Sequence, residues 1–94
     1  MVAKKSKYKS VTIKKKRYYF YKITWLDITG GSGHATEHEF VGMMPSKMVT
    51  HAYIFNQDKK NVRTFASYEE NDELFSDRNV FPRNFVKVVS LLLN

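Results

Sequence analysis

The chain contains no cysteine, which excludes a disulfide framework, thiolate catalysis and cysteine-ligated zinc or iron–sulfur centres together. Proline is nearly as scarce, with two residues, and glycine occurs four times. No apolar run approaches the roughly 18 residues that cross a bilayer as a helix, and the charged N-terminus lacks the apolar stretch of a secretory leader. The sequence therefore leads us to expect a soluble cytoplasmic protein with no membrane partner. Acidic residues are also missing from the first 22 positions, and this absence carries the strongest signal in the chain.

Those 22 residues hold nine of the 16 basic side chains: Lys4, Lys5, Lys7, Lys9, Lys14, Lys15, Lys16, Arg17 and Lys22. The rest of the chain has seven basic and nine acidic groups, so the net charge of +7 belongs to one end. An arm of this kind is an electrostatic handle for a polyanion. With 94 residues the chain has the size of one small domain that hides only about 60 to 65% of its surface on folding. Aromatic residues make up 15% of the chain, and most of these rings are expected to enter the core.

Residues 1–10 are lysine-rich without an apolar period and are expected to be a flexible basic tail, with a single domain over 11–94. From Val11 the pattern becomes β. Val11 and Ile13 alternate with polar residues, and the segment from Tyr18 to Ile28 is dense in aromatic and β-branched side chains. Thr29-Gly30-Gly31-Ser32-Gly33 marks a loop. The segment from His34 to Met44 reads as either a strand or a short helix, weakened as a long helix by Gly42 and Pro45. A hairpin follows, with strands from Met48 to Phe55 and from Val62 to Tyr68 joined through residues 56–61. An acidic loop (69–77), a short strand stopped at Pro82 and a last strand ending near Leu93 complete the chain. The expected fold is all-β: a single small barrel of five or six strands, since closure removes exposed edges.

Several separated pieces form a pattern: Trp25-Leu26-Asp27, Gly33, Pro45-Ser46-Lys47 leading into Ala52-Tyr53-Ile54, and Phe81-Pro82-Arg83 before the final strand. Across roughly residues 19–92 this pattern resembles that of short proteins encoded by bacteriophages. The family's proline step reads isoleucine-proline-lysine and an aromatic follows its loop glycine, whereas this chain has Phe81-Pro82-Arg83 and Gly33-His34. The resemblance implies a phage accessory protein in the host cytoplasm, with the strand order of an SH3-like or Sm-like barrel. It implies no activity.

Lys14-Lys15-Lys16-Arg17 runs directly into Tyr18-Tyr19-Phe20-Tyr21, and cations beside rings suit a partner with phosphates and unpaired bases. Alternation sends Tyr19, Tyr21, Ile23 and Trp25 to one side of the strand and Tyr18, Phe20, Thr24 and Leu26 to the other, so at least one side is core. Lys14, Lys15, Lys16, Arg17, Tyr19 and Tyr21 are the expected nucleic-acid-binding residues. The competing reading makes the lysines a solubilising tail and the rings packing.

His34-Ala35-Thr36-Glu37-His38 spells H-x-x-E-H, an inverted zinc-protease signature that works when both histidines share one helical face. Here it follows a glycine loop in a β-rich chain, so no metal, cofactor or enzymatic activity is expected. The Gly30–Gly33 loop lacks the P-loop ending and the dinucleotide-fold spacing. His51, mid-strand, reads as a structural histidine, and Asp27 as a cap for its own loop. Glu69, Glu70, Asp72 and Glu73 read as a solvated loop or as a dock for a basic surface. The sequence thus supports a non-enzymatic module contacting nucleic acid, DNA or RNA, with a module that binds a host or phage protein as the alternative. It leaves oligomeric state open.

Overall fold

The computed structural model describes residues 7–69 and 71–94. The chain is mainly β, with eight strands among the described residues: β1 (Ser10–Ile13), β2 (Lys16–Asp27), β3 (Ser46–Gln57), β4 (Asn61–Phe65), β5 (Ser67–Glu69), β6 (Leu74–Ser76), β7 (Asn79–Pro82) and β8 (Val86–Leu91). The His34–Met44 segment, left open between strand and helix, contains one short helix, α1 (Glu37–Val41). Thr36 caps it by accepting from the Glu39 amide at 3.1 Å, while the Thr36 hydroxyl donates to Glu39 Oε1 at 3.0 Å. The Thr36 hydroxyl thus satisfies one amide of the first turn, and Gly42 ends the helix.

The main sheet is antiparallel. Strand β2 pairs with β3 along one edge and with β1 and then β8 along the other, while β4 and β7 extend the β3 side. Strands β7 and β8 lie at opposite edges, yet only a single 3₁₀ turn, Arg83–Phe85, joins them. The sheet must therefore curl. Trp25 on β2 meets Phe81 on β7 at a ring-centroid distance of 5.0 Å, across two intervening strands. Register irregularities at Thr24/Trp25 and at Ile54/Asn56 supply the local bending. Strands β7 and β8 are not hydrogen-bonded to each other, so the curl stays open.

Both faces of the sheet are core. Ile23, Ile54, Val62 and Phe81 fill the concave side, with Tyr21, Trp25, Val86 and Val89 packed against them. On the other face, Ile13, Tyr18, Tyr53 and Phe65 lie under the β5–β6 hairpin. There, seven rings form one connected cluster, from Phe20 against Tyr53 at 4.8 Å to Phe65 against Phe75 at 4.7 Å. Such edge-to-face pairs add to the burial of apolar area itself. Burial holds the Tyr18 and Tyr53 hydroxyls above the usual tyrosine pKa.

The basic tail expected for residues 1–10 falls partly outside the described residues. Its described part is hydrogen-bonded: the Lys9 amide donates to Leu92 at 2.9 Å, the Phe20 amide to Lys9 at 2.9 Å, and Tyr8 bridges to Leu93. The first and last described segments are thereby held together beside β2.

Beyond this double core the β2–β3 ribbon runs outward, and every residue from Asp27 to Val49 is exposed. The Cα radius of gyration is 17.7 Å and the long axis is 67 Å; a compact chain of this length has a radius near 12 Å. One end of β2 thus carries the basic turn and the other the projecting tip, roughly 37 to 41 Å apart at the strand rise of about 3.4 Å per residue.

Candidate nucleic-acid interface

The Lys14-Lys15-Lys16-Arg17 run forms the tip of a hairpin. Ile13 pairs with Lys16, so Lys14 and Lys15 are the whole connection between β1 and β2. Both have positive φ, 49° and 69°. That is the geometry of a type I′ turn, which follows the natural twist of a two-residue hairpin but is normally built from asparagine and glycine. Lysine occupies it at a conformational cost.

All four side chains of the run are exposed, and among the described residues no acid pairs with them. Lys16 Nζ lies 5.6 Å from the Tyr18 ring centroid and 5.7 Å from that of Phe55. The expected stacking residues fare differently. Tyr19 is half-buried opposite Ser10, and Tyr21 is half-buried against the concave core. The hairpin therefore gathers the cations, while the Tyr21 ring is committed to packing.

A second basic surface appears where sequence reading did not look. Lys22 sits between His51 on β3 and Ser90 on β8, and Leu26 sits opposite Lys47. All four polar groups are exposed. Strand alternation puts these side chains on the same face as Phe20 and Tyr53. Lys9 Nζ stands 4.2 Å from the Phe20 ring centroid, and the His51 and Phe20 rings are 6.4 Å apart. His51, read from the sequence as a structural histidine, is exposed at the surface beside Phe20. The alternating pattern of β2 already put Phe20 on this side. Missing from the sequence was which part of the face the β5–β6 hairpin would cover.

The H-x-x-E-H segment is divided by the helix start. His34 lies in the exposed loop before the Thr36 cap, whereas Glu37 and His38 lie in α1. Among the described residues no group of three or more His, Cys, Asp or Glu side chains is gathered to hold a metal. Asp27 accepts from the Ile28 amide at 2.9 Å, the local cap its position suggested. In the acidic loop, Glu69 ends β5 and Asp72 and Glu73 are exposed at the turn into β6; Glu70 lies outside the described residues. A cleft of about 590 Å³ between β4, β6 and β7 is lined by Phe55, Phe65, Phe75, Arg63, Arg78 and Glu73 among others. Asp58 organises the β3–β4 turn, accepting from the Lys60 and Asn61 amides at 2.8 Å and pairing with Arg63 at 3.2 Å. These donors hold its carboxyl below the usual carboxylate range.

Comparison with protein families, with curated proteins and with solved structures finds no match. Among the described residues no helix is long and apolar enough to cross a membrane.

Proposed function

We propose that this protein is a non-enzymatic accessory binding module, of bacteriophage type by its sequence resemblance, that contacts nucleic acid through its basic hairpin. The carrying observation is that Lys14, Lys15, Lys16 and Arg17 form an exposed turn with no acidic partner among the described residues, braced on an aromatic core. A fixed cluster of cations neutralises phosphates without first losing the freedom of a floppy tail. The strand order β8-β2-β3-β4-β7, with a 3₁₀ turn returning the chain to β8, supports reading the fold as an opened SH3-like or Sm-like barrel.

Salt dependence tests this reading. Every phosphate contact releases counterion, so affinity for a labelled oligonucleotide should fall with a log–log slope of about −0.7 per contact for single strands. Neutralising the four cations together should flatten the slope by about two to three units and weaken all sequences alike. Absence of binding at about 50 mM salt would overturn the proposal.

A protein-interaction module is the second reading, favoured by the opposite end of the molecule. Ile28, Phe40, Val41 and Met44 on the projecting tip are 68 to 78% exposed, an apolar group that water tolerates poorly. Capture of a defined host or phage protein that survives nuclease treatment and is lost when Phe40 and Met44 become serine would favour it.

A further inference from the structure

We propose that the uncovered half of the outer sheet face, where β8, β2 and β3 lie side by side, is a platform on which single-stranded nucleic acid lies with bases against Phe20 and His51 and phosphates near Lys9, Lys22 and Lys47. This rests on the nucleic-acid reading and replaces its stacking residues, Tyr19 and Tyr21, with rings on the opposite face.

The face is divided by the fold. Near the basic hairpin the β5–β6 hairpin seals it, burying Tyr18, Tyr53 and Phe65. Past Phe20 the cover stops, and Lys22, Lys47, Val49, His51 and Val88 are exposed. Val49 and Val88 are 54% and 53% exposed and flank Thr24 on its two sides, an apolar row between basic ones. From the Phe20 row to the Leu26 row the strip is six residues long, about 20 Å at the strand rise. The side chains of β2, β3 and β8 that project from it include no aspartate or glutamate.

Charge complementarity selects the occupant. Cations spaced along the strip, with no acid among them, fit a continuous polyanion. The rings select the single strand. A duplex hides its base faces, whereas unpaired bases stack on aromatic platforms whatever their sequence. Phe20 is half-buried at the rim of the aromatic cluster, edge-to-face with Tyr53 and with Lys9 Nζ 4.2 Å from its ring centroid, and the ring left open beside it is the exposed His51.

The test is anisotropy with labelled oligothymidine, a matched duplex and heparin, using the full chain. We expect His51→Ala to weaken oligothymidine binding about five-fold or more, the low end of one stacked base, with an unchanged salt slope and unchanged heparin affinity. Lys22→Gln with Lys47→Gln should reduce the slope by about 1.4, two contacts' worth. Lys59→Gln with Lys60→Gln, at the β3–β4 turn, should leave it unaltered. Phe20→Leu removes the ring but keeps an apolar side chain and should also weaken the oligothymidine complex, with the melting temperature reporting whether the core survives the lost volume. Binding that is lost on neutralising Lys14 to Arg17 but insensitive to Lys22, Lys47 and His51 would overturn the platform and leave the hairpin reading standing. Duplex bound as tightly as the single strand would also overturn the platform. No binding to either nucleic acid would overturn both readings.

Discussion

Replacing Lys14→Asn and Lys15→Gly separates the structural cost of the hairpin tip from its use. Both lysines hold positive φ, and each non-glycine residue in the left-handed region costs roughly 1–2 kcal/mol. Asparagine tolerates that region, and glycine enters it freely but loses about 0.5–1 kcal/mol through its extra freedom in the unfolded chain. The double replacement should therefore stabilise the protein by about 1–2 kcal/mol. For a domain of this size that raises the melting temperature by about 4 to 16 °C. Removing two neighbouring positive charges would itself relieve repulsion, so Lys14→Gln with Lys15→Gln serves as the reference. It discharges the turn without relaxing its backbone. Thermal unfolding followed by circular dichroism at neutral pH should rank Asn-Gly clearly above Gln-Gln, while oligonucleotide titrations show both with a salt slope reduced by about 1.4. Equal melting temperatures for the two variants would refute the claim that the Lys14-Lys15 turn is strained.

The Thr64 hydroxyl is buried in the concave core with no hydrogen-bond partner among the described residues, so Thr64→Val should gain about 1–3 kcal/mol in urea unfolding. Phe65 touches Tyr18, Tyr53, Tyr68 and Phe75; Phe65→Ala should cost about 3–5 kcal/mol, a large share of a total near 5–15 kcal/mol, and a loss below about 1 kcal/mol would contradict the aromatic core. Burial raises the Tyr18 and Tyr53 pKa, so the native state keeps protons that the unfolded chain gives up. Stability from these groups should be intact below the ordinary tyrosine value of about 10 and fall as pH rises beyond it, which alkaline melts of the wild type against Tyr53→Phe can check.

Strand character was legible because alternation and β-branched or aromatic density are local properties. The segment from Tyr18 to Ile28 placed large residues on both sides, and both sides are indeed core, Tyr18 under the β5–β6 hairpin and Ile23 in the concave cluster. Three features were not legible, for one reason: each depends on a distant partner. Lys14-Lys15 carries no turn chemistry, and the hairpin forms because Val11 and Ile13 have a core to enter. Lys9 pairs with Leu92 across most of the chain length. In the acidic segment only Leu74 and Phe75 hinted at β6, whose strand exists because Phe75 finds Phe65, Phe55 and Tyr18. The candidate site followed the same division. Its charge was visible in the sequence, but which rings are free to stack was decided by the β5–β6 cover over one half of the face.

Amide chemical-shift mapping with unlabelled oligothymidine tests the central claim most directly. The account expects the largest perturbations at Lys22, Lys47 and His51 on the open face and at Lys14 to Arg17 on the hairpin, with little change at Glu37 to Val41 on the distant tip. Perturbations confined to the tip, or none in low salt, would contradict it.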